Sequence, residues 1–142
     1  MTTAVTVVSK VRAKFGSVAD SLTNKYQVSI AKEGERHEPV VGVAWVRVKL
    51  LPAETELLTV GPNPIEEISG LCQFDIFTSG ARGLDLADVV AQDLIDSLSS
   101  QLLELDGVDG RLVTEAVWVE ANREEPTWIQ TPLFVRWRIC TT

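Results

Sequence analysis

Apolar positions along this chain follow two rhythms, one near 3.6 residues and one of 2, and the changes between them divide it into elements. Ala4, Val8, Val11, Phe15, Val18 and Leu22 fall at steps of three and four, which predicts an amphipathic first helix. Thr2 or Thr3 is placed to cap its start. Gly16 is expected to weaken or break it after Phe15, since glycine costs about 1 kcal/mol against alanine inside a helix. Tyr26 to Ile30 reads as a short strand, and Lys32 to Pro39 as a charged loop. From Val41 to Leu51 the rhythm becomes strict alternation, with Ala44, Val46, Val48 and Leu50 on one face and Trp45, Arg47 and Lys49 on the other.

Pro52 ends that strand, because proline cannot donate to a sheet ladder. Ala53 to Glu56 reads as a loop leading to Leu57–Val60 and a turn at Gly61-Pro62-Asn63-Pro64. In the next strand Ile68, Gly70, Cys72, Phe74 and Ile76 alternate with Ser69, Gln73 and Asp75, as in an antiparallel pair with one face buried. A second helix is predicted from Gly83 to Leu105 on the ridge Leu86, Val90, Leu94, Leu98 and Leu102, widened by Val89, Ile95 and Leu105. Asp85 is its expected N-cap, and Asp88, Gln92, Asp96, Ser100 and Glu104 form the opposite row. Asp106-Gly107 and Asp109-Gly110 close it. Leu112 to Glu120 is a strand with Val113, Val117 and Val119 opposite Trp118. Trp128 to Cys140 alternates again, with Ile129, Leu133, Val135, Trp137 and Ile139 against Gln130, Arg136 and Arg138; Pro132 marks it as an edge strand or a bulge. The order α-β-β(-β)-α-β-β predicts one α+β domain over residues 1–142, with a mainly antiparallel sheet and helices packed on one side.

Composition narrows the class. At 142 residues, with 45% hydrophobic and 23% charged positions, the chain is expected to hold a core without metal or disulfide. No apolar run reaches the ~20 residues of a membrane span, and Lys10, Arg12 and Lys14 stand where a secretory signal would be apolar. Cys72 and Cys140, far apart and on strand-like runs, are expected to be buried free thiols in a reducing compartment. The net charge of −7 resides in Leu84 to Gly110, which holds seven acids and no base. That segment reads either as a solvated helix face or as an acidic surface for a basic partner.

Chemistry is sparse. Nucleotide-binding, hydrolase and zinc-protease motifs are missing, as is any Cys/His cluster. His37, amid charged neighbours, reads as an exposed bystander. Glu54 and Glu56, like Glu66 and Glu67, read as exposed loop charges. Gly80 to Gly83 precedes a helix as an anion cradle would, but Asp85 and Asp88 already occupy that positive end. Lys and Arg are scattered, which argues against a nucleic-acid groove. No catalytic residue, cofactor or metal ligand is assigned.

One ordered combination carries a resemblance. Trp45-Val46-Arg47-Val48-Lys49-Leu50-Leu51-Pro52-Ala53-Glu54-Thr55-Glu56, with Thr59 and Gly61 beyond, is followed by Gly70-Leu71-Cys72-Gln73-Phe74-Asp75-Ile76-Phe77. The helix from Gly83 and a closing strand beginning Trp128-Ile129-Gln130-Thr131-Pro132-Leu133 complete it. From Val41 onward the chain resembles the tail terminator proteins of long-tailed bacteriophages. It departs from them in the charged loop before Val41 and the double Asp-Gly turn before Leu112. The resemblance implies a homohexameric ring that caps the growing tail tube, stops its polymerisation and joins the tail to the head connector or a neck protein. It implies a virion location at the tail neck, assembly in the host cytoplasm, no catalytic residues and no membrane or specific nucleic-acid partner, although DNA would pass through the ring.

The residues themselves offer surfaces for such contacts. Lys10, Arg12 and Lys14 on the first helix complement the acidic row of the second, with Asp88 and Asp96. Trp45, Arg47 and Lys49 form an aromatic and basic sheet face with Trp118, Arg136 and Arg138. The Pro52 to Pro64 loop, with Glu54, Glu56, Leu57 and Leu58, reaches toward a neighbouring copy or the tube. Another neck or tail-tube protein is the nearest alternative; a small-molecule-binding or enzymatic α+β domain is the alternative of a different class.

Overall fold

Two 13-residue strands, β4 (Glu66–Thr78) and β8 (Ile129–Thr141), lie side by side along their whole length, from Glu66 opposite Thr141 to Thr78 opposite Ile129. The computed structural model describes residues 4–40, 42–51, 53–62, 65–80, 83–105, 107 and 111–141. The expected cap at Thr2 or Thr3, Ala81 and Arg82 of the glycine turn, and Asp106, Asp109 and Gly110 lie outside these residues. The remaining elements are α1 (Ala4–Tyr26), β1 (Ser29–Ala31), β2 (Trp45–Leu50), β3 (Glu54–Leu57), α2 (Gly83–Leu98), β5 (Leu102–Glu104), β6 (Arg111–Val119) and β7 (Arg123–Glu124). They make an α+β fold with an eight-stranded sheet in the order β1-β2-β4-β8-β6-β5. Every pairing is antiparallel except that of β1 with β2. β3 continues the line of β2 along β4, and β7 continues the line of β6 along β8.

Alternation explains how the sheet receives its helices. Val46, Val48 and Leu50 on β2 stand opposite Ile76, Phe74 and Cys72, which in turn face Thr131, Leu133 and Val135. These positions are buried on the face that the helices cover. On α1, Val7, Val11, Phe15, Ala19 and Leu22 are fully buried, and Phe15 meets Phe74 edge-on at 6.1 Å. α1 lies over β1 and β2, and α2 lies over β4, β8 and β6. Trp137, at the end of the same inner row, is fully buried beside Gly70. A Cβ on Gly70 would come within 3.2 Å of the Trp137 ring and 3.4 Å of the Ala53 backbone, so glycine permits this close approach.

Several local expectations are corrected. α1 does not break at Gly16; it runs to Tyr26 because tertiary packing of its apolar face outweighs the propensity cost of one glycine. The strand expected at Tyr26 to Ile30 accordingly starts at Ser29. α2 ends at Leu98, not Leu105, and begins at Gly83, so Asp85 lies in its first turn rather than at the cap. The Leu98 carbonyl is taken by the hydroxyl of buried Thr114, which accepts the Gln101 N–H at 3.1 Å. Ser100 adopts a left-handed φ of 52° and donates its N–H to the Glu115 carbonyl. Leu102 therefore leaves the ridge for exposed strand β5, and Val89 is also exposed.

Glu54 to Leu57, expected partly as loop, is a strand paired with Glu66 to Ser69. A register shift between Thr114 and Val117 places Val113 opposite Arg138 and Val117 opposite Val135, so the two valines do not share a face. β8 is central, not an edge. Pro132 sits where β6 gives way to β7, and its carbonyl accepts the Glu120 N–H at 2.9 Å. Its missing donor thus falls where the ladder is interrupted. Cys72 is buried as expected, but Cys140 is exposed, on the outward side of β8 opposite Glu67.

Candidate assembly surface

The sheet face turned away from the helices is built by the residues that alternate with the core. On it, Trp45 stacks on Phe77 with ring centroids 4.0 Å apart and an 8° interplanar angle. His37 stacks on the other side of Trp45 at 4.9 Å, and Trp128 meets Trp45 edge-on at 6.2 Å. His37 Nε2 lies 2.8 Å from the Ser29 hydroxyl, which ties the charged loop to β1. His37 is thus half-buried in an aromatic stack and is no exposed bystander.

Beside this stack, Arg47 donates to one oxygen of Asp75 from Nη2 at 2.8 Å and from Nε at 3.2 Å. Gln73 donates to the other oxygen at 2.8 Å. Asp75 is only 1% exposed, so its charge is matched by hydrogen bonds as a buried carboxylate requires. Lys49 stays exposed. Further along the face, Trp118 stacks on Phe134 at 5.7 Å, with the Arg136 guanidinium 5.8 Å from the Trp118 ring. Arg138 bridges Glu115 at 2.8 Å and Glu67 at 3.8 Å. Trp45, Arg47 and Lys49 therefore share one surface; of their stacking partners, Phe77 is not a site residue in the sequence reading and His37 is there only a bystander. Phe77 became legible only once β2 and β4 were in register, because Trp45 and Phe77 are direct cross-strand partners.

Glu54, Glu56, Leu57 and Leu58 belong to a different feature. β3, the first residues of β4 and the end of β8 are paired side by side, and the β3–β4 hairpin forms an arm at this end of the sheet. All four β3 residues are exposed. At its tip Leu57 is 53%, Leu58 48% and Val60 88% exposed, and Ile65 joins them. The two sides of the tip are tied together: Leu58 donates its N–H to Ile65 O at 2.8 Å, and Ile65 donates its own to the Thr59 hydroxyl at 2.7 Å.

The helix charges do not meet as one cluster. Arg12 pairs with Glu33 at 3.4 Å, and Lys10 and Lys14 line a hollow with Glu104. Asp88 and Asp96 are exposed on α2, and Asp96 accepts a bond from Gln92 at 2.8 Å. The two helices are instead linked at the end of α1, where Tyr26 donates to Asp93 at 2.6 Å and Lys25 pairs with it at 3.3 Å. Burial alone would raise the Asp93 carboxyl, but the bonds from Tyr26 and Lys25 outweigh it and hold the group below its ordinary range. The same bond to Asp93, followed by burial, raises the Tyr26 phenol. Burial also pushes the Cys72 thiol well up. Among the described residues no group of acids, histidines and cysteines is arranged to hold a metal ion.

A surface made of stacked aromatics, tethered cations and an apolar arm suits protein contacts. A family model described as phage tail terminator protein matches residues 10–137, from the second turn of α1 to Trp137 within β8. The chain belongs to the phage tail terminator family. Its role is therefore structural, in the tail of the virion, and the family is not an enzymatic one. One solved structure, of a protein without a functional description, aligns over 92% of this chain and 94% of its own with a TM-score of 0.68 at 12% identity. That likeness shows a shared fold. No curated protein matches. Among the described residues no helix is long and apolar enough to cross a membrane.

Proposed function

We propose that copies of this chain close into a ring, hexameric as the family implies, that caps the tail tube, stops its polymerisation and joins the tail to the head connector or neck. The observation that carries this reading is the β3–β4 arm. It carries an apolar tip, Leu57, Leu58, Val60 and Ile65, that none of the described residues covers. Exposed ion pairs contribute under about 1 kcal/mol each, so apolar contacts from the arm supply most of the affinity and the pairs of Lys10, Arg12 and Lys14 with Asp88 and Asp96 of another copy contribute little. Trp45, Arg47, Lys49, Glu54 and Glu56 complete the interface toward a neighbouring copy, the tube protein or the connector.

The genome passes through this ring without being held. Non-specific affinity for DNA comes from clustered Lys and Arg that neutralise phosphates, whereas four bases on the outer face, Arg47, Lys49, Arg136 and Arg138, alternate with acids such as Asp75, Glu67 and Glu115. The test is a phage carrying Leu57→Asp with Leu58→Asp. It should yield heads that never join tails and tails of uncontrolled length, seen by electron microscopy. Normal tail length with full infectivity would overturn the reading.

A further inference from the structure

Two patches without net charge lie at opposite borders of the sheet. The first is the arm tip, where the nine residues from Leu57 to Ile65 carry no charge in a chain that is 23% charged. It belongs to the border made by β1, β2 and β3. The second is a groove of about 470 Å³ on the opposite border, along β5 and β6. Leu102, 62% exposed, stands there opposite Val113, with Gln101 and Ala116 beside them. The one charged residue in its wall, Glu115, is neutralised by Arg138 at 2.8 Å.

Resting on the ring reading above, we infer that the arm tip of one copy seats in the β5–β6 groove of the next. Charge favours this pairing. Each copy carries a net charge of −7, so copies repel at long range, and contact between two patches of no net charge adds nothing to that repulsion. Placement favours it too. A ring requires two different patches on one subunit, as these two on different borders of the sheet are, whereas a twofold contact brings a patch against itself. Both surfaces are set before contact. The tip is held by the bonds between Leu58, Thr59 and Ile65, and the groove floor is held by Thr114, whose N–H donates to Gln101 O at 2.9 Å. Little conformational freedom is then lost on association. β5 is also the last strand of its border, with an outer backbone edge that no described strand pairs and that a docked arm would shield.

The test is disulfide trapping in a Cys140→Ser background, which removes the exposed thiol and leaves the buried Cys72. A tagged Leu58→Cys protein is mixed with an untagged Leu102→Cys protein and oxidised with diamide. Light scattering records the mass before oxidation, and circular dichroism verifies the fold of each variant. The expected result is a covalent dimer that joins the tagged and untagged chains and appears only in the mixture. A chain with both substitutions should give a ladder of multimers, and Leu102→Arg should raise the concentration for half-assembly at least about tenfold. An oligomer that gives no mixed cross-link, or that cross-links Leu58→Cys to itself, overturns the pairing while the ring stands. Monomers up to the solubility limit, with no cross-link, overturn both.

Discussion

Strand β4 passes through two environments. From Phe74 to Thr78 it is buried on both faces, with α1 and α2 beneath it and Trp45, Arg47 and His37 above. From Glu66 to Ser69 only Ile68 is buried, and the neighbour on one side is β3, whose four residues are all exposed. Gly70 lies between the two halves, where β2 has ended and β3 has begun. One continuous strand thus roots an apolar arm in a rigid layer. The half under the helices supplies folding stability, and the arm leaves an apolar surface that the described residues do not cover.

Substitutions sharpen this contrast. The largest loss is expected from Phe74→Ala in the doubly covered half, about 3–5 kcal/mol, with Leu94→Ala or Leu98→Ala at about 2–5 kcal/mol. Denaturant midpoints measure both, and Asp96→Ala on the exposed side of α2 should stay within about 0.5 kcal/mol. Equal losses at Leu94 and Asp96 would mean that the helix is turned the other way. Thr114→Val should cost about 1–3 kcal/mol, since it strands the Leu98 carbonyl and the Gln101 N–H that the hydroxyl now satisfies.

Asp93→Asn should cost about 1 kcal/mol at neutral pH. Because the folded carboxyl is held below its ordinary value of 3.8, its contribution is present above that value and is lost as the pH falls through the lower, folded one. The gap between wild type and Asp93→Asn should therefore close on the acid side in midpoints measured against pH. A gap that stays constant into strong acid would show that the Tyr26 and Lys25 bonds do not hold the charge.

The same division decides what could be read from the chain. β2, β4 and β8 are legible because the inner rows Val46-Val48-Leu50, Cys72-Phe74-Ile76 and Leu133-Val135-Trp137 alternate without interruption. The end of α2 is not. Leu102 continues the i+4 ridge in sequence, and the reason the helix stops is Thr114, sixteen residues away from Leu98, which takes its last carbonyl. The bulge between Thr114 and Val117 turns one valine outward for a similarly non-local reason, the register with β8. His37 looked idle because its charged neighbours argue for solvent, while its partners Trp45 and Ser29 come from two other strands. On the assembly surface, Trp45, Arg47 and Lys49 could be grouped by alternation alone. The arm tip was visible as an uncharged Leu-Leu stretch, but Glu54 to Leu57 pairs as a strand only because Glu66 to Ser69 is there to receive it.

The central claim is that the arm serves assembly and contributes little to folding. The most direct measurement is the solution mass of wild type and of Leu57→Asp with Leu58→Asp, by light scattering over a concentration series, with unfolding midpoints taken on the same samples. The account predicts a closed multiple of the subunit mass for wild type, monomers for the double variant, and midpoints that differ by no more than a surface change allows. An unchanged mass for the double variant, or a loss of assembly that merely tracks unfolding, would contradict it.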